Sequence, residues 1–494
     1  MSARSVVIIG AGIGGLTAAA NLRRAGLHVT VLEKNAGPGG RCQQFEREGH
    51  RFDTGPTLLV MPLLYAAEFR HLGTSLREQL NLQRVDPTYT LVFGDGRRLA
   101  LTSDMRALAA QLEAFEPGSR RGLLRYVREG REHYRLAMES LVNRDYRSAS
   151  DFFAPRNLAL LLRLKPLVNH YRNMAAYFDD PRLKAAFTFQ DLYMGISPFE
   201  APATFSLLPF TELAHGVWYP PGGMVRIVEA LAGLARSLGV EFAFASPVER
   251  IETNASHARA VMLAGGGRIP ADVVLANADL PYVYNDLLPR DGAARRLARK
   301  RYSCSVISFF WGVDKVYQAL GPHTLFLVDD YRGNFEAIID DLALAADPSV
   351  YVHAPARLDP SMAPPGHDTL TAIVPVGHLS PNDDQDWAVL RDQARAQVFR
   401  KLRLLGITDL EAHIKFEETY TPIDWRDRYN LVRGSTHGLS HTLTQMAWFR
   451  PRNRHARYRN LYFVGASTHP GTGVPTAMVS GRLAAQRILD EQLN

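Results

Sequence analysis

The chain has 494 residues, 46% of them hydrophobic and 22% charged, which suits an ordinary globular protein of about three domains and excludes disorder, collagen or coiled coil as a global description. Two cysteines, Cys42 and Cys304, exclude a disulfide framework and a cysteine-rich metal site, and fit a reducing cytosol. The net charge of +7 points to an anionic surface, phospholipid or nucleic acid.

Only Arg4 precedes the first apolar run, so no signal peptide is expected. No stretch approaches ~18 uncharged apolar residues, so no spanning helix is expected either. The apolar β-branched run 5–9 reads as a buried parallel strand. It leads directly into Gly10-Ala11-Gly12-Ile13-Gly14-Gly15, a G-x-G-x-x-G turn, then a helix pattern to Gly26, a second strand at 29–32 and an acid, Glu33. Each part of this βαβ unit has a task. Gly10 permits the tight turn, Gly12 lets backbone approach a pyrophosphate, and Gly15 lets helix and strand pack closely. The helix start at Gly14 offers free amides to phosphate, and Glu33 is placed to accept from ribose hydroxyls. A dinucleotide site is expected.

A second glycine pair, Gly39-Gly40 before Arg41, gives further close backbone approach, and Gly55-Pro56-Thr57 after Asp53 makes a small-residue turn. Residues 76–215 are mostly helical in pattern. Within them Arg120, Arg121, Arg125, Arg128 and Arg131 recur at near-helical spacing with Leu123, Leu124 and Val127. Residues 158–165 are unusually apolar with basic edges. Both suit a segment lying on anionic lipid, or a buried helix with snorkelling arginines.

Trp218-Tyr219-Pro220-Pro221-Gly222-Gly223 is a rigid turn feeding a helix at 224–238. Residues 240–242 and 248–251 alternate like strands, and 273–279 is a buried strand with a polar end. Residues 300–450 mix strand and helix, with strands at 303–313 and 370–376 and turn-rich loops at 360–368 and 380–386. Arg450, Arg452, Arg454, Arg457 and Arg459 form the densest basic cluster, suited to lipid head groups, cofactor phosphates or a solvated loop. At the C-terminal end a short strand at 460–464 meets Gly465-Ala466, then a turn through Gly473-Val474-Pro475, then a helical pattern at 476–489. Strand, glycine-rich turn and helix start again describe an anion or cofactor contact. No nucleic-acid recognition motif accompanies the basic charge, so it is read as affinity for a membrane surface. The sixteen histidines show no H-E-x-x-H or H-x-x-E-H spacing, and no metal is expected.

These segments together resemble the carotenoid (phytoene) desaturases of the bacterial and fungal type, FAD enzymes related to amine oxidases. The resemblance rests on Gly10 to Gly15 with Glu33, Pro38-Gly39-Gly40-Arg41, Asp53 to Thr57, Gly216 to Gly223, Ala276-Asn277-Ala278-Asp279, Leu443-Thr444-Gln445 through Phe449-Arg450-Pro451, and Gly465 to Pro475. It implies an α/β fold: a Rossmann-like FAD-binding domain in three pieces (1–75, 216–300 and 451–494), a helical substrate and membrane-associating insertion (76–215), and a mixed α+β substrate domain (301–450). It implies that Gly39, Gly40 and Arg41 return to the flavin, that Gly55, Pro56 and Thr57 lie near the isoalloxazine, and that Val248 contacts adenine through its main chain.

The family's reaction removes two hydrogens from neighbouring carbons, as a hydride to flavin and a proton. Asp151 falls where the family carries an acid suspected of a base role, although some relatives have an arginine where Ala154 stands, with Arg156 nearby; its other reading is a helix N-cap. His441 and His469 are alternative bases or structural groups. A carotenoid has no polar handle, so a long apolar tunnel is expected, entered from a membrane on which a cytoplasmic protein lies peripherally. Dioxygen or a quinone is expected as electron acceptor, and an oligomer remains open. Competing readings are a carotenoid oxygenase, isomerase, saturase or 3,4-desaturase, an amine oxidase-like enzyme acting on a soluble amine, and a non-catalytic flavin scaffold.

Overall fold

The computed structural model describes residues 4–382 and 384–492, leaving aside the side chains of residues 156, 158, 159 and 161. The side chains of Arg156 and of Leu158, Ala159 and Leu161 in the apolar run 158–165 therefore fall outside what is described.

The sequence predicts a parallel sheet assembled from distant segments, and the first sheet has that form. Five strands run in the order Leu461–Phe463, Val273–Ala276, Ser5–Ile9, His28–Leu32, Glu241–Ala243, all parallel. Parallel central strands are covered on both faces and are accordingly apolar throughout: Val6, Val7, Ile8, Val29, Val31, Val273, Val274 and Leu275 are buried. The helix Ile13–Arg24 packs between Val474–Gln492 and Val225–Ser237. Two of these helices touch backbone to backbone, since a Cβ on Gly481 would stand 2.5 Å from the Gly14 carbonyl oxygen. A three-stranded antiparallel meander, Val248–Thr253, Ala258–Leu263 and Arg268–Pro270, flanks this sheet.

The second large sheet has seven strands, in the order Ile414–Tyr420, Ser305–Val313, Asp368–Val376, Val350–His353, His323–Phe326, Tyr89–Val92, Arg98–Leu101. The last two correct the sequence reading, which assigns residues 76–215 to a helical insertion. Tyr89–Val92 pairs parallel with His323–Phe326, and Arg98–Leu101 closes the edge as a hairpin. Gln83–Val85 also pairs with Val217–Tyr219. Apart from the single turn Leu76–Gln79, helices follow from Met105–Phe115 onward, including the 19-residue Ser119–Ala137, which continues into a π-helical turn at Met138–Val142. That long helix turns Gly122, Leu123, Tyr126 and Gly130 inward and leaves Arg120, Arg121, Arg125, Arg128 and Arg131 exposed beside an exposed Leu124. Among the described residues no helix is long and apolar enough to cross a membrane.

Candidate active site

A cavity of about 580 Å³ runs between the two large sheets. Its polar end is built by glycines. The first strand ends at Gly10, whose φ of +98° an L side chain rarely adopts. Asn277, at the end of a neighbouring strand, donates its side-chain amide to the Gly10 carbonyl at 3.1 Å. Gly12 caps the helix Ile13–Arg24 without a side-chain bond, so the first-turn amides keep free donors. Gly39 donates its N–H to the Ala11 carbonyl at 2.8 Å, which lays the second glycine pair on the first turn. A Cβ on Gly55 would lie 2.0 Å from the Arg41 carbonyl oxygen. The Glu33 carboxylate is buried and accepts from the amides of Ala11 at 2.8 Å and Asn35 at 3.0 Å.

Sixteen of the seventeen cofactor residues expected from the sequence line this one cavity: Gly10, Gly12, Gly14, Glu33, Gly39, Gly40, Arg41, Gly55, Pro56, Thr57, Val248, Gly465, Ala466, Gly473, Val474 and Pro475. The seventeenth, Gly15, sits beneath them, where a Cβ would stand 2.3 Å from the Gly10 carbonyl oxygen. The start of the C-terminal helix, Val474–Gln492, reaches the same cavity. Two helix N-termini, two glycine cradles with no room for Cβ atoms and a buried acid fit an anionic dinucleotide with ribose hydroxyls. FAD would therefore be held by these residues.

The other end of the cavity is apolar. Val60, Met61, Met138, Leu141, Phe205 and Leu208 are among its lining, with Tyr89, Phe189, Leu325 and Tyr351 on the sheet side. Met446 and Ala447 line it as well, and the next two residues, Trp448 and Phe449, pack on Phe152 and Phe153. Phe153 and Phe449 are 44% and 49% exposed, and Leu162 and Leu167 are 70% and 83% exposed.

The three candidate bases expected from the sequence fall in different places. Asp151 does not line the cavity. It stands in the first turn of a short helix capped by Ser148, and its carboxylate pairs with Arg144 at 3.1 Å. His441 and His469 do line the cavity. Burial holds His441 well below the ordinary histidine range and lowers His469 to about 4. The Thr472 amide donates to His441 Nε2 at 3.2 Å, and the His469 ring faces the backbone carbonyls of Arg144 and Ala447.

Arg450 is neither a lipid contact nor a solvated loop residue. It is fully buried and donates to the backbone carbonyls of Leu439, Ser440, Gln445, Ala466 and Thr468. Burial lowers its pKa to about 9, opposed by the charge of Asp279. Nothing in its local sequence separates it from Arg452, which lies over Trp448, or from the exposed Arg457 and Arg459. Only the long-range carbonyl set reveals its task, which is to tie the 465–475 turn to the 439–445 loop.

The sequence profile of flavin containing amine oxidoreductases matches residues 13–489. The chain is 43% identical over 488 residues to a zeta-carotene-forming phytoene desaturase of Myxococcus xanthus, covering 98% of this chain and 94% of that one. It is 40% identical over 512 residues to a phytoene desaturase of Fusarium fujikuroi, covering 99% and 90%. Among solved structures it is similar to an oxidoreductase from Methanosarcina mazei, with a TM-score of 0.65, 17% identity and coverage of 98% and 100%.

Proposed function

Since the chain belongs to the flavin containing amine oxidoreductases, as an FAD-dependent oxidoreductase of the bacterial and fungal carotenoid desaturase family, we propose that it desaturates phytoene to a more conjugated carotene such as lycopene. The observation that carries this reading is the two-ended cavity, in which a glycine-built cofactor end opens directly onto an apolar wall. A soluble amine would meet too few polar partners along that wall to offset its desolvation. A C40 polyene needs only shape and exclusion of water there.

FAD, when bound, supplies the hydride acceptor. The chain's own residues do the rest. The free amides after Gly12 and the start of the C-terminal helix hold the phosphates, and Glu33 holds ribose. Arg450 fixes the carbonyls of the turn that carries Ala466. The apolar lining keeps water from an allylic cation on the substrate, so that proton loss competes with hydration.

Peripheral membrane binding belongs to the same proposal. The exposed Phe153, Phe449, Leu162 and Leu167 support it, as do the exposed arginines of the long helix. So does the substrate, which dissolves in lipid and not in water. Two buried free cysteines suit the cytoplasmic side. Dioxygen or a membrane quinone would reoxidise the cofactor.

Expression in a phytoene-accumulating host tests the reaction. Lycopene is the expected pigment. Accumulation of zeta-carotene would limit the enzyme to the first steps, as the name of the Myxococcus relative indicates for that protein. Unchanged phytoene beside consumption of another acyclic carotene would overturn the assignment.

A further inference from the structure

Desaturation releases a proton as well as a hydride, and the two carboxylates that line the cavity among the described residues are already occupied. Glu33 accepts backbone amides. Asp279 accepts from the Ser467 hydroxyl at 2.6 Å and from the Val432 amide. Of the lining histidines, His441 already accepts from the Thr472 amide, His437 Nδ1 lies 3.0 Å from the Thr436 hydroxyl, and the His469 ring is turned to the backbone carbonyls of Arg144 and Ala447.

We propose that the Tyr351 phenol takes the proton from the substrate and passes its own proton to His323, with Thr57 aiming the phenol. Tyr351 lies on the strand Val350–His353 and is only half-buried because its ring faces the cavity. Its hydroxyl oxygen is 2.7 Å from Thr57 Oγ1 and 2.7 Å from His323 Nδ1, on the adjacent strand. His323 is buried, and its Nε2 has no partner among the described residues. The tautomer with hydrogen on Nε2 leaves Nδ1 free to accept the phenolic hydrogen.

This relay rests on the proposed reaction. Hydride departure leaves the substrate an allylic cation. The electron pair of the neighbouring C–H bond then closes the new C=C bond. Its proton lands on the Tyr351 oxygen as that oxygen's proton moves to His323 Nδ1. The substrate loses its charge and His323 gains it. No reductant or oxidant beyond the hydride acceptor is required.

An allylic cation is a far stronger acid than an imidazolium, so a weakly basic histidine suffices. Burial, with His353 stacked at 4.6 Å, holds His323 well below its ordinary value, hence neutral and ready to accept. The same depression favours return of the proton before the next turnover, from His323 Nδ1 through the Tyr351 hydroxyl to water entering the cavity as product leaves. The other titratable groups facing the relay are Tyr89, 6.0 Å from the His323 ring, Tyr219 against His353, and Asp53, whose charge acts on Tyr351.

The test uses purified holoenzyme with phytoene in liposomes. Tyr351→Phe keeps the ring and removes the oxygen. It is expected to lower product formation about a hundredfold, with FAD content and melting temperature unchanged. His323→Gln can still accept the phenolic hydrogen bond but cannot carry a proton. It is expected to lose a similar factor and also the acid limb of the wild-type pH profile, which arises from premature protonation of His323. Thr57→Val removes the aiming bond and, since Thr57 also lines the cofactor end, its several-fold loss is to be read per bound flavin. An active wild type with Tyr351→Phe and His323→Gln both within about threefold of it would overturn the relay alone. So would a slow His323→Gln that keeps the acid limb, or losses that track lost FAD. A wild type that leaves phytoene untouched overturns the proposed function and the relay with it.

Discussion

The two ends of the cavity are built on opposite plans. At the cofactor end backbone meets backbone: Cβ atoms on Gly15 or Gly55 would fall within 2.3 Å of a carbonyl oxygen, and donors and acceptors have fixed directions. At the substrate end the wall is made of apolar side chains from the helices, the π-helical turn and the second sheet. A charged, hydroxyl-bearing ligand needs atoms at set positions, so its site is a few short motifs. A hydrocarbon needs only volume and dryness, so its site is a shape distributed over the chain. Substitutions should therefore fail abruptly at one end and gradually at the other.

The largest effect is expected at Gly55. Gly55→Val drives a side chain into the Arg41 carbonyl, and the purified protein should contain no bound flavin by its visible spectrum. A normal flavin spectrum would break the contrast at once. Next comes Arg450→Met, which takes the guanidinium from five backbone carbonyls and leaves only that of Ser440 with a second side-chain donor, Gln445 Nε2. Each orphaned buried acceptor costs about 1–3 kcal/mol, although not additively. Denaturant unfolding should show a loss of several kcal/mol, about 3 or more, and Arg450→Lys a smaller one.

A third effect is a pH dependence. Burial raises Asp53 to about 7, while the Met224 amide and Gln44 pull it down. An acid whose folded pKa is raised binds more protons folded than unfolded. Its favourable contribution is full below the unfolded value near ~4 and is lost as pH rises through about 7. Asp53→Asn should flatten the stability profile across that window, and an unchanged slope would assign the dependence elsewhere.

Effects at the apolar surface should be smaller. Phe153→Ser with Phe449→Ser removes two half-exposed rings, each worth about 1 kcal/mol of lipid contact. Binding to anionic liposomes should weaken roughly thirtyfold, and undiminished binding would remove this patch from the membrane contact. The smallest effect is expected for Asp151→Asn. It breaks a partly exposed pair with Arg144 worth at most about 1 kcal/mol, and product formation should stay within about twofold. A loss of a hundredfold or more would restore Asp151 as the base.

The same contrast explains what the sequence makes legible. Gly10 to Gly15, Glu33, Gly39 to Arg41 and Gly465 to Pro475 are local, because a cradle for phosphate is a local backbone shape. The strands Tyr89–Val92 and Arg98–Leu101 look like part of a helical insertion because the first finds its partner at His323–Phe326, more than two hundred residues away. Arg450 sits in an arginine-rich run, and only its carbonyl partners distinguish it. Thr57 and Tyr351 are 294 residues apart in sequence yet 2.7 Å apart in space, and nothing in the local pattern of either announces the pair.

The most direct measurement is anaerobic mixing of the flavin-loaded protein with phytoene in liposomes, followed through the yellow flavin band and the carotene bands together. The account predicts that the flavin bleaches as conjugated carotene appears, with no response to a soluble amine. A flavin that stays oxidised with phytoene and bleaches with the amine would contradict it.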